Sequence, residues 1–464
     1  MKRTLADFAQ ACGGQLDGTD RAYVGVSTDT RTLKPGELFV ALRGPRFNAN
    51  DFVAAAETAG AAGAVVDTRV DRPIAQIVVR DTQAALSRAA AAWRAQFPIP
   101  VVGVAGSNGK TTVKEMIAAI LERRGATLST RGNLNNHIGV PLTLLRIDGA
   151  HLQAVIEIGA NHPGEVAALV ELARPTVGLI TNAGAEHLEG FGSIEGVARA
   201  EGEMVAGLAP AATAVINSDD EFADLWRGMT RARVCTFGIA RPADFAAHDL
   251  HTTIDASGFV TRFTLRAPQG SIPIQLQLAG RHNVLNSLCA AAAASAAGAT
   301  LDEVRAGLAT MRPVPGRLQF KTAPSGAWIV DDSYNANPSS MKAGIEVLAA
   351  VDARRWLVMG DMGELGDYAV DSHGEIGRFA RVNRIERLFA TGKLSALAVE
   401  AFGSGAEWFA DTEALARAVN AELSRSTNAG LSPEVCVLVK GSRSNRLERV
   451  VEALVGKPSD QGAH

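Results

Sequence analysis

The sequence predicts a doubly wound α/β protein of three domains, and three observations carry that prediction. Short apolar runs of strand length alternate with segments of helical periodicity. A glycine-rich loop sits at one strand-to-helix junction, and the same alternation returns after a proline-rich break late in the chain. At 464 residues the chain is long enough for roughly three cores.

The central domain holds the clearest elements. The runs IPVVGVA (99–105), LQAVIEI (152–158), VGLITNA (177–183) and TAVIN (213–217) read as strands buried on both faces, because no polar residue alternates through them. Val113, Met116, Ile117, Ile120 and Leu121 fall at i, i+3, i+4, i+7 and i+8, the stripe of a helix packed on a sheet, and Gly125 stops it. Phe259, Thr261, Phe263 and Leu265 alternate at period two, as do Ile272, Ile274, Leu276 and Leu278. The intervening Pro268-Gln269-Gly270 turn predicts a hairpin decorating this domain.

Pro98 to Pro100 mark its start, and Arg312-Pro313-Val314-Pro315-Gly316 reads as a stiff hinge at its end. Beyond the hinge, WIVDD (328–332), WLVMGDM (356–362) and VCVLVKG (435–441) predict strands, and residues 339–349 and 443–454 predict helices. The expected domains are therefore 1–97, 98–312 and 313–456, with a disordered tail over 457–464.

Composition narrows the function classes. Lys+Arg 46 against Asp+Glu 49 gives a net charge of -3, which offers no global basic field to nucleic acid. Cys12, Cys235, Cys289 and Cys436 form neither a C-x-x-C pair nor a framework, so a reducing compartment and buried apolar roles are expected. The N-terminus lacks a sustained apolar core, and no run reaches the roughly 18–20 apolar residues of a membrane span. A cytoplasmic, monomeric protein is expected.

The chemistry concentrates at Gly106-Ser107-Asn108-Gly109-Lys110-Thr111-Thr112, which follows a buried strand and opens the amphipathic helix. Glycines let backbone amides converge on a phosphate at a helix N-terminus. Lys110 would neutralise the β and γ phosphates of a nucleoside triphosphate, and the Thr111 hydroxyl would ligate Mg²⁺. Val104 stands where a strict G-x-x-x-x-G-K-[ST] pattern has its first glycine. Glu157 ends its strand, where ligands of a parallel sheet gather, and Asn182 does the same with His187 shortly after. Both ends suit a magnesium site, Glu157 as a hard oxygen ligand and His187 as a nitrogen ligand or an orienting group. A lone histidine is more often structural or surface, and His137 and His162 are read so. No G-x-S-x-G, H-E-x-x-H or C-x-x-C motif competes, and no NKxD-type guanine signal is present.

These motifs together resemble a known family. VGVAGSNGKTTVKEM (102–116), GNLNNHIGVPLTLL (132–145), EIGANHPGE (157–165), HLEGFGS (187–193), GRHNVLN (280–286), DDSYNANP (331–338), MGDMGELG (359–366) and VKGSR (439–443) are similar to the Mur ligases. DDSYNANP and GNLNNHIG resemble the branch that adds D-alanyl-D-alanine to UDP-N-acetylmuramoyl-tripeptide, and STDTR (27–31) with PGELFVALRG (35–44) extends the match. The resemblance implies an N-terminal UDP-sugar-binding α/β domain, a central P-loop ATPase-type domain, and a C-terminal Rossmann-like domain that brings the dipeptide and closes over ATP.

It also implies roles by position. Gly106 to Thr112 would hold the triphosphate, Thr111 and Glu157 one magnesium, His187 a second, and Asn283 the adenine. Arg317 would reach the phosphates on closure, with Asp332 nearby, and Ser27, Thr28, Asp29, Thr30 and Arg31 would line the uridine site. Two departures stand out. Asn48-Ala49-Asn50 replaces the family's Asp-Gly-His, and Glu201 stands where many relatives carry a lysine that reacts with CO₂ to a carbamate. Glu201 is expected to present its carboxylate to the second magnesium directly or through water, making the enzyme independent of CO₂.

The implied reaction phosphorylates the tripeptide's terminal carboxylate from ATP and lets the dipeptide amine attack the acyl phosphate. Another ligase of the superfamily is the near alternative. The D-N-P-x-R motif of the diaminopimelate-adding enzyme is missing, and DDSYNANP replaces a D-Y-A-H-x-P pattern. A nucleotide-gated scaffold with a dead site is the distant one, opposed by intact Lys110, Thr111, Glu157 and His187.

Overall fold

A computed structural model describes residues 3–44, 47–185, 188–255, 258–426 and 435–456. Three α/β units follow one another, each built on its own sheet, so the predicted fold class holds. In the N-terminal unit five short strands run in the order Gln15–Asp17, Gln76–Val78, Gly63–Val66, Leu38–Val40, Val26–Ser27, parallel except for the first.

The central sheet has nine strands, in the order Thr127–Ser129, Gln153–Glu157, Val101–Ala105, Val177–Ile180, Thr213–Asn217, Arg233–Gly238, Phe245–Asp255, Gly258–Ala267, Gly270–Leu276. The chain runs from Val101–Ala105 outward to one edge, returns, then crosses to Val177–Ile180. The carboxyl end of Val101–Ala105 is thus the point where winding reverses and where a crevice opens.

The expected hairpin forms between Gly258–Ala267 and Gly270–Leu276, with Phe263 opposite Ile274. It is no separate decoration. The strand Phe245–Asp255, which the sequence reading missed, pairs with Arg233–Gly238 on one side and with the hairpin on the other, making the pair a continuation of the main sheet.

The third unit has the order Gln319–Thr322, Trp328–Asp332, Val435–Lys440, Arg354–Met359, Arg387–Thr391, Ala406–Phe409, with only the first strand antiparallel. The helix expected over 443–454 is split. A 3₁₀ turn, Arg443–Asn445, gives way at Arg446 (φ 52) to the helix Glu448–Val455. A non-glycine residue in the left-handed region breaks a helix without a compositional warning. The predicted tail over 457–464 lies outside the described residues. Among the described residues no helix is long and apolar enough to cross a membrane.

The two seams between units differ in kind. Leu5, Phe8, Val65, Ile77 and Trp93 of the first unit share one continuous buried cluster with Val101, Leu144, Ile147 and Ile156 of the second. Polar groups lock that seam: the Trp93 indole donates to Ile147 O at 2.9 Å, and the Arg94 guanidinium donates to Ala173 O at 3.0 Å. The third unit keeps its own clusters, touched from the central unit by Phe259 and Ala279, and meets the phosphate loop through polar side chains.

Candidate active site

The phosphate loop is shaped by backbone necessity. Gly106 has φ +121, and a Cβ there would lie 2.1 Å from Thr181 Oγ1 and 2.8 Å from Thr181 N, so no larger residue fits. Gly109 (φ +85) starts the helix Lys110–Leu121, and no side chain caps that N-terminus. The first-turn amides therefore point into the crevice as donors for an anion.

The loop's outer amides are already bound. Ser107 N donates to Asn182 O at 2.9 Å, Asn108 N to Asn182 Oδ1 at 3.0 Å, and Asn182 Nδ2 to Asn108 O at 2.9 Å. Asn182, noted in the sequence only for its place at a strand end, holds the loop. Lys110 Nζ folds back onto Gly106 O at 2.5 Å and Ser107 O at 3.1 Å.

Glu157 is 2% exposed. Its Oε1 accepts from Asn135 Nδ2 at 2.9 Å and from the Thr111 hydroxyl at 3.4 Å, while Oε2 is buried without a hydrogen-bond partner among the described residues. A carboxylate oxygen in that state is costly unless a cation answers it. Mg²⁺ fits this donor set, a hard carboxylate beside a threonine hydroxyl at the mouth of a triphosphate site.

Glu201 is 5% exposed, which rules out a solvated helix face. Its Oε2 accepts from Gly106 N at 2.7 Å, so the carboxylate lies behind the loop and braces it, and Glu201 does not line the cavity. The grip of this oxygen on the loop amide is a contact that the sequence reading did not include. His187 lies outside the described residues.

The opposite wall comes from the third unit. Arg317 Nη2 donates to Thr111 Oγ1 at 3.3 Å, and its guanidinium lies 4.6 Å from the Tyr334 ring centroid. Arg317 thus already meets the loop in a closed arrangement. Asn337 caps the helix Pro338–Ala349 and donates from Nδ2 to Asn108 Oδ1 at 2.8 Å, while Asn108 Nδ2 donates to Ser339 Oγ at 3.2 Å. Asp332 pairs with buried Lys440 at 2.7 Å and accepts from Leu318 N at 3.1 Å.

Between the walls lies a cavity of about 610 Å³. It is lined by Ser107 to Thr112, Glu157, Asn283, Arg317, Tyr334 and Asp332 among others. Asn283 is held by its Nδ2 on Ala279 O at 2.7 Å and stands in the wall with Phe237 and Leu278, an amide beside apolar surface suited to a flat heterocycle. Burial pushes the His282 imidazole down to about 4, against the pull of Asp332 and with the push of Lys440, so it is neutral near pH 7.

Ser27 to Arg31 lie apart from this cavity, in the N-terminal unit. Arg31 holds the Asp29 carboxyl down to about 2 through a charge-assisted hydrogen bond, and Ser27 Oγ accepts from Asp29 N at 3.2 Å. The Asn48-Ala49-Asn50 departure forms a capped 3₁₀ turn, with the Asn48 side chain accepting from Asn50 N and Asn50 bonded to Asp67.

Sequence reasoning gave no role to Asn135, Asn337, Ser339, Tyr334 or Lys440, although all but Ser339 lie in the quoted motifs. Asn337 was findable, since Asn before Pro at a helix start is a capping signal.

Comparison with known proteins places the site in a family. The Mur ligase middle domain matches residues 104–294, and the "Mur ligase, glutamate ligase domain" matches residues 316–443. The UDP-N-acetylmuramoyl-tripeptide–D-alanyl-D-alanine ligase of Escherichia coli is 44% identical over 453 residues, covering 97% of this chain and 98% of that one. A crystal structure of MurF from Acinetobacter baumannii superposes with a TM-score of 0.91 at 34% identity, covering 98% of this chain and 99% of that one. MurF ligase from Thermotoga maritima in complex with ADP gives 0.79 at 27% identity, over 93% and 96%.

Proposed function

Because the chain belongs to the Mur ligase family, we infer that it is the ATP-dependent ligase that joins D-alanyl-D-alanine to UDP-N-acetylmuramoyl-tripeptide in peptidoglycan precursor synthesis. The observation that carries the reading is the cavity itself, with an uncapped helix N-terminus and Lys110 on one side and Arg317 on the other.

The chemistry follows from the charges. A carboxylate is a poor electrophile, so its oxygen attacks the γ-phosphorus of ATP, the bond to the β-γ bridging oxygen breaks, and ADP leaves. The neutral amine of D-alanyl-D-alanine then attacks the acyl carbon, phosphate departs with its oxygen, and the amine's proton goes to solvent or phosphate. Lys110 and the first-turn amides would hold the β and γ phosphates as negative charge moves onto the leaving oxygen. Arg317 would supply a second cation from the closing wall, and the closed seam would keep water from the acyl phosphate.

Thr111 and Glu157 are the residues that would hold Mg²⁺, which supplies charge neutralisation across the transferring phosphoryl group. Asn283 would face the adenine, Asp332 would keep Lys440 and Leu318 in place beside the nucleotide, and His187 would serve a second magnesium. Glu201 would carry a permanent negative charge behind the loop where relatives use a carbamate, and Ser27 to Arg31 would receive the uridine end. UDP-N-acetylmuramoyl-tripeptide and D-alanyl-D-alanine are the partners this reading requires.

The test is ADP release from the purified protein with the UDP-tripeptide, with and without D-alanyl-D-alanine. Release that requires both substrates is expected. Lys110→Ala should cut turnover by about a thousandfold or more while circular dichroism and Tm stay near wild type. Substantial ADP formation by that variant would remove the phosphate loop from the mechanism.

A further inference from the structure

Lys114 carries no role in the site as described, yet it is 0% exposed, in the second turn of the phosphate-loop helix. Withdrawing an ammonium from water is unfavourable unless it is well paired, and a methionine would fill the same space between Val113 and Ile117 at lower cost. What the ammonium gains is specific. Its Nζ donates to Thr130 O at 2.8 Å and pairs with Glu115 Oε1 at 2.7 Å, and the latter side chain is 42% exposed.

Thr130 is itself 1% exposed, with every polar group committed. Its N donates to Val155 O at 3.1 Å, and its hydroxyl accepts from Glu157 N at 3.0 Å. Directly after Thr130 the chain enters the turn that carries Asn135, whose Nδ2 holds Glu157 Oε1 at 2.9 Å and whose carbonyl accepts from Gly159 N at 2.9 Å. A Cβ at Gly159 would meet Asn135 Nδ2 at 2.9 Å, so the glycine makes room for that side chain.

Lys114 and Thr111 are three residues apart and share a helix face. Thr111 touches the Glu157 carboxylate, while Lys114 grips the strand end that supports the Glu157 backbone.

We propose that Lys114 is a positioning residue that, through Thr130, sets the spacing between Thr111 and Glu157 and so tunes the divalent-cation affinity of the nucleotide site. The inference rests on the reading of Thr111 and Glu157 as the metal-holding pair. Lys114 touches neither nucleotide nor metal. Its charge matters because a carbonyl oriented by an ammonium is held more firmly than one oriented by a neutral donor, and supports of this kind typically shift metal affinity by about 10–100-fold.

The experiment measures ADP binding to the full-length protein by calorimetry, in chelator and again at saturating Mg²⁺, for wild type, K114M, T130V and E157Q. K114M keeps the shape and removes the charge. T130V leaves the helix untouched and removes the hydroxyl that receives Glu157 N–H. Both should weaken the Mg²⁺-dependent part of ADP binding by about tenfold or more while changing metal-free ADP affinity by no more than about twofold. The double variant should be little worse than either single one, as expected of two links in one chain.

Wild-type metal dependence in both K114M and T130V would overturn the proposal. Equal loss of ADP affinity with and without Mg²⁺ would also overturn it, since that is the signature of general damage. E157Q separates the two readings. If it loses the Mg²⁺ effect while K114M and T130V keep it, only the positioning role fails; if E157Q itself retains full Mg²⁺ dependence, the metal-holding pair fails and the proposal goes with it.

Discussion

The seam between the first and second units is an extensive shared apolar core, whereas the seam between the second and third joins a small apolar contact, Phe259 edge-on to Phe320, to a set of side-chain hydrogen bonds around a cavity. Burial of apolar area is non-directional and is lost in full when surfaces part, so the first seam resists opening. Polar contacts such as Asn337 to Asn108 exchange for water at small net cost, so the second can open and close. The first two units are thus fixed to each other beside the phosphate loop, and opening is expected at the wall that carries Arg317.

The largest test of that contrast falls on the apolar seam. Trp93 is 8% exposed, packs edge-on against Phe97 at 5.1 Å, lies 4.3 Å from the Arg3 guanidinium and donates to Ile147 O. Trp93→Ala should cost about 3–5 kcal/mol, read as a lower denaturant midpoint affecting the first and second units together. A loss below about 1 kcal/mol would mean that the shared cluster is not what joins them.

On the polar seam the expected effect is catalytic. Arg317 contacts Thr111 across the gap and stacks on Tyr334 within its own unit. Arg317→Ala should lower kcat by about 10²-fold, leave Tm within a degree or two, and alter ATP affinity far less than kcat. A large loss of ATP affinity with normal kcat would make Arg317 a ground-state ligand and the seam a static one.

Much of this was legible in the sequence, and the gaps have physical causes. VVGVA and the apolar centre of TAVIN announced themselves because strands buried on both faces carry unbroken apolar runs. Phe245–Asp255 did not, because His248, Asp249, His251 and Thr252 break its pattern. The strands of two to four residues in the N-terminal unit are shorter than any window that periodicity can resolve. At the site, Lys110 and Glu157 were readable because a strand end and a glycine loop are local signals. The Asn108 contacts to Asn337 and Ser339 span 229 and 231 residues, and no local pattern encodes them.

Glu201 shows the same limit in the central unit alone. Its position was legible, but its partner, Gly106 N, is 95 residues away. Two substitutions divide its roles. Glu201→Gln keeps an acceptor for the Gly106 amide and removes the charge, so Tm should hold while kcat falls by about tenfold or more. Glu201→Ala leaves a buried N–H unpaired and should cost about 1–3 kcal/mol as well. The wild-type rate should not respond to bicarbonate depletion. A rate that falls on depletion and recovers on bicarbonate addition would show a carbamate elsewhere.

The smallest effect should come from acid, and it discriminates between the seams because the titrating group sits on only one of them. His282 lies at the start of the helix Arg281–Ala296, its ring close enough to Gly280 that a Cβ there would meet it at 2.5 Å and Val347 of the third unit at 2.8 Å. Burial lowers its pKa from 6.5 to about 4, with Asp332 opposing and Lys440 reinforcing the shift. A group whose folded pKa is depressed binds more protons when unfolded, so its stabilising contribution is full above about pH 6.5 and is lost as pH falls toward 4. The ring is half-buried and lines the cavity, so opening the polar seam adds water to a site already partly open and moves the group toward its ordinary pKa, and mild acid should favour the open arrangement slightly before it touches the apolar seam. Small-angle scattering between pH 7 and pH 4.5 should show a modest increase in radius of gyration without loss of helix signal. His282→Asn, which cannot take the proton, should flatten that response; an unchanged response in the variant would place the acid sensitivity on other groups and leave His282 as packing.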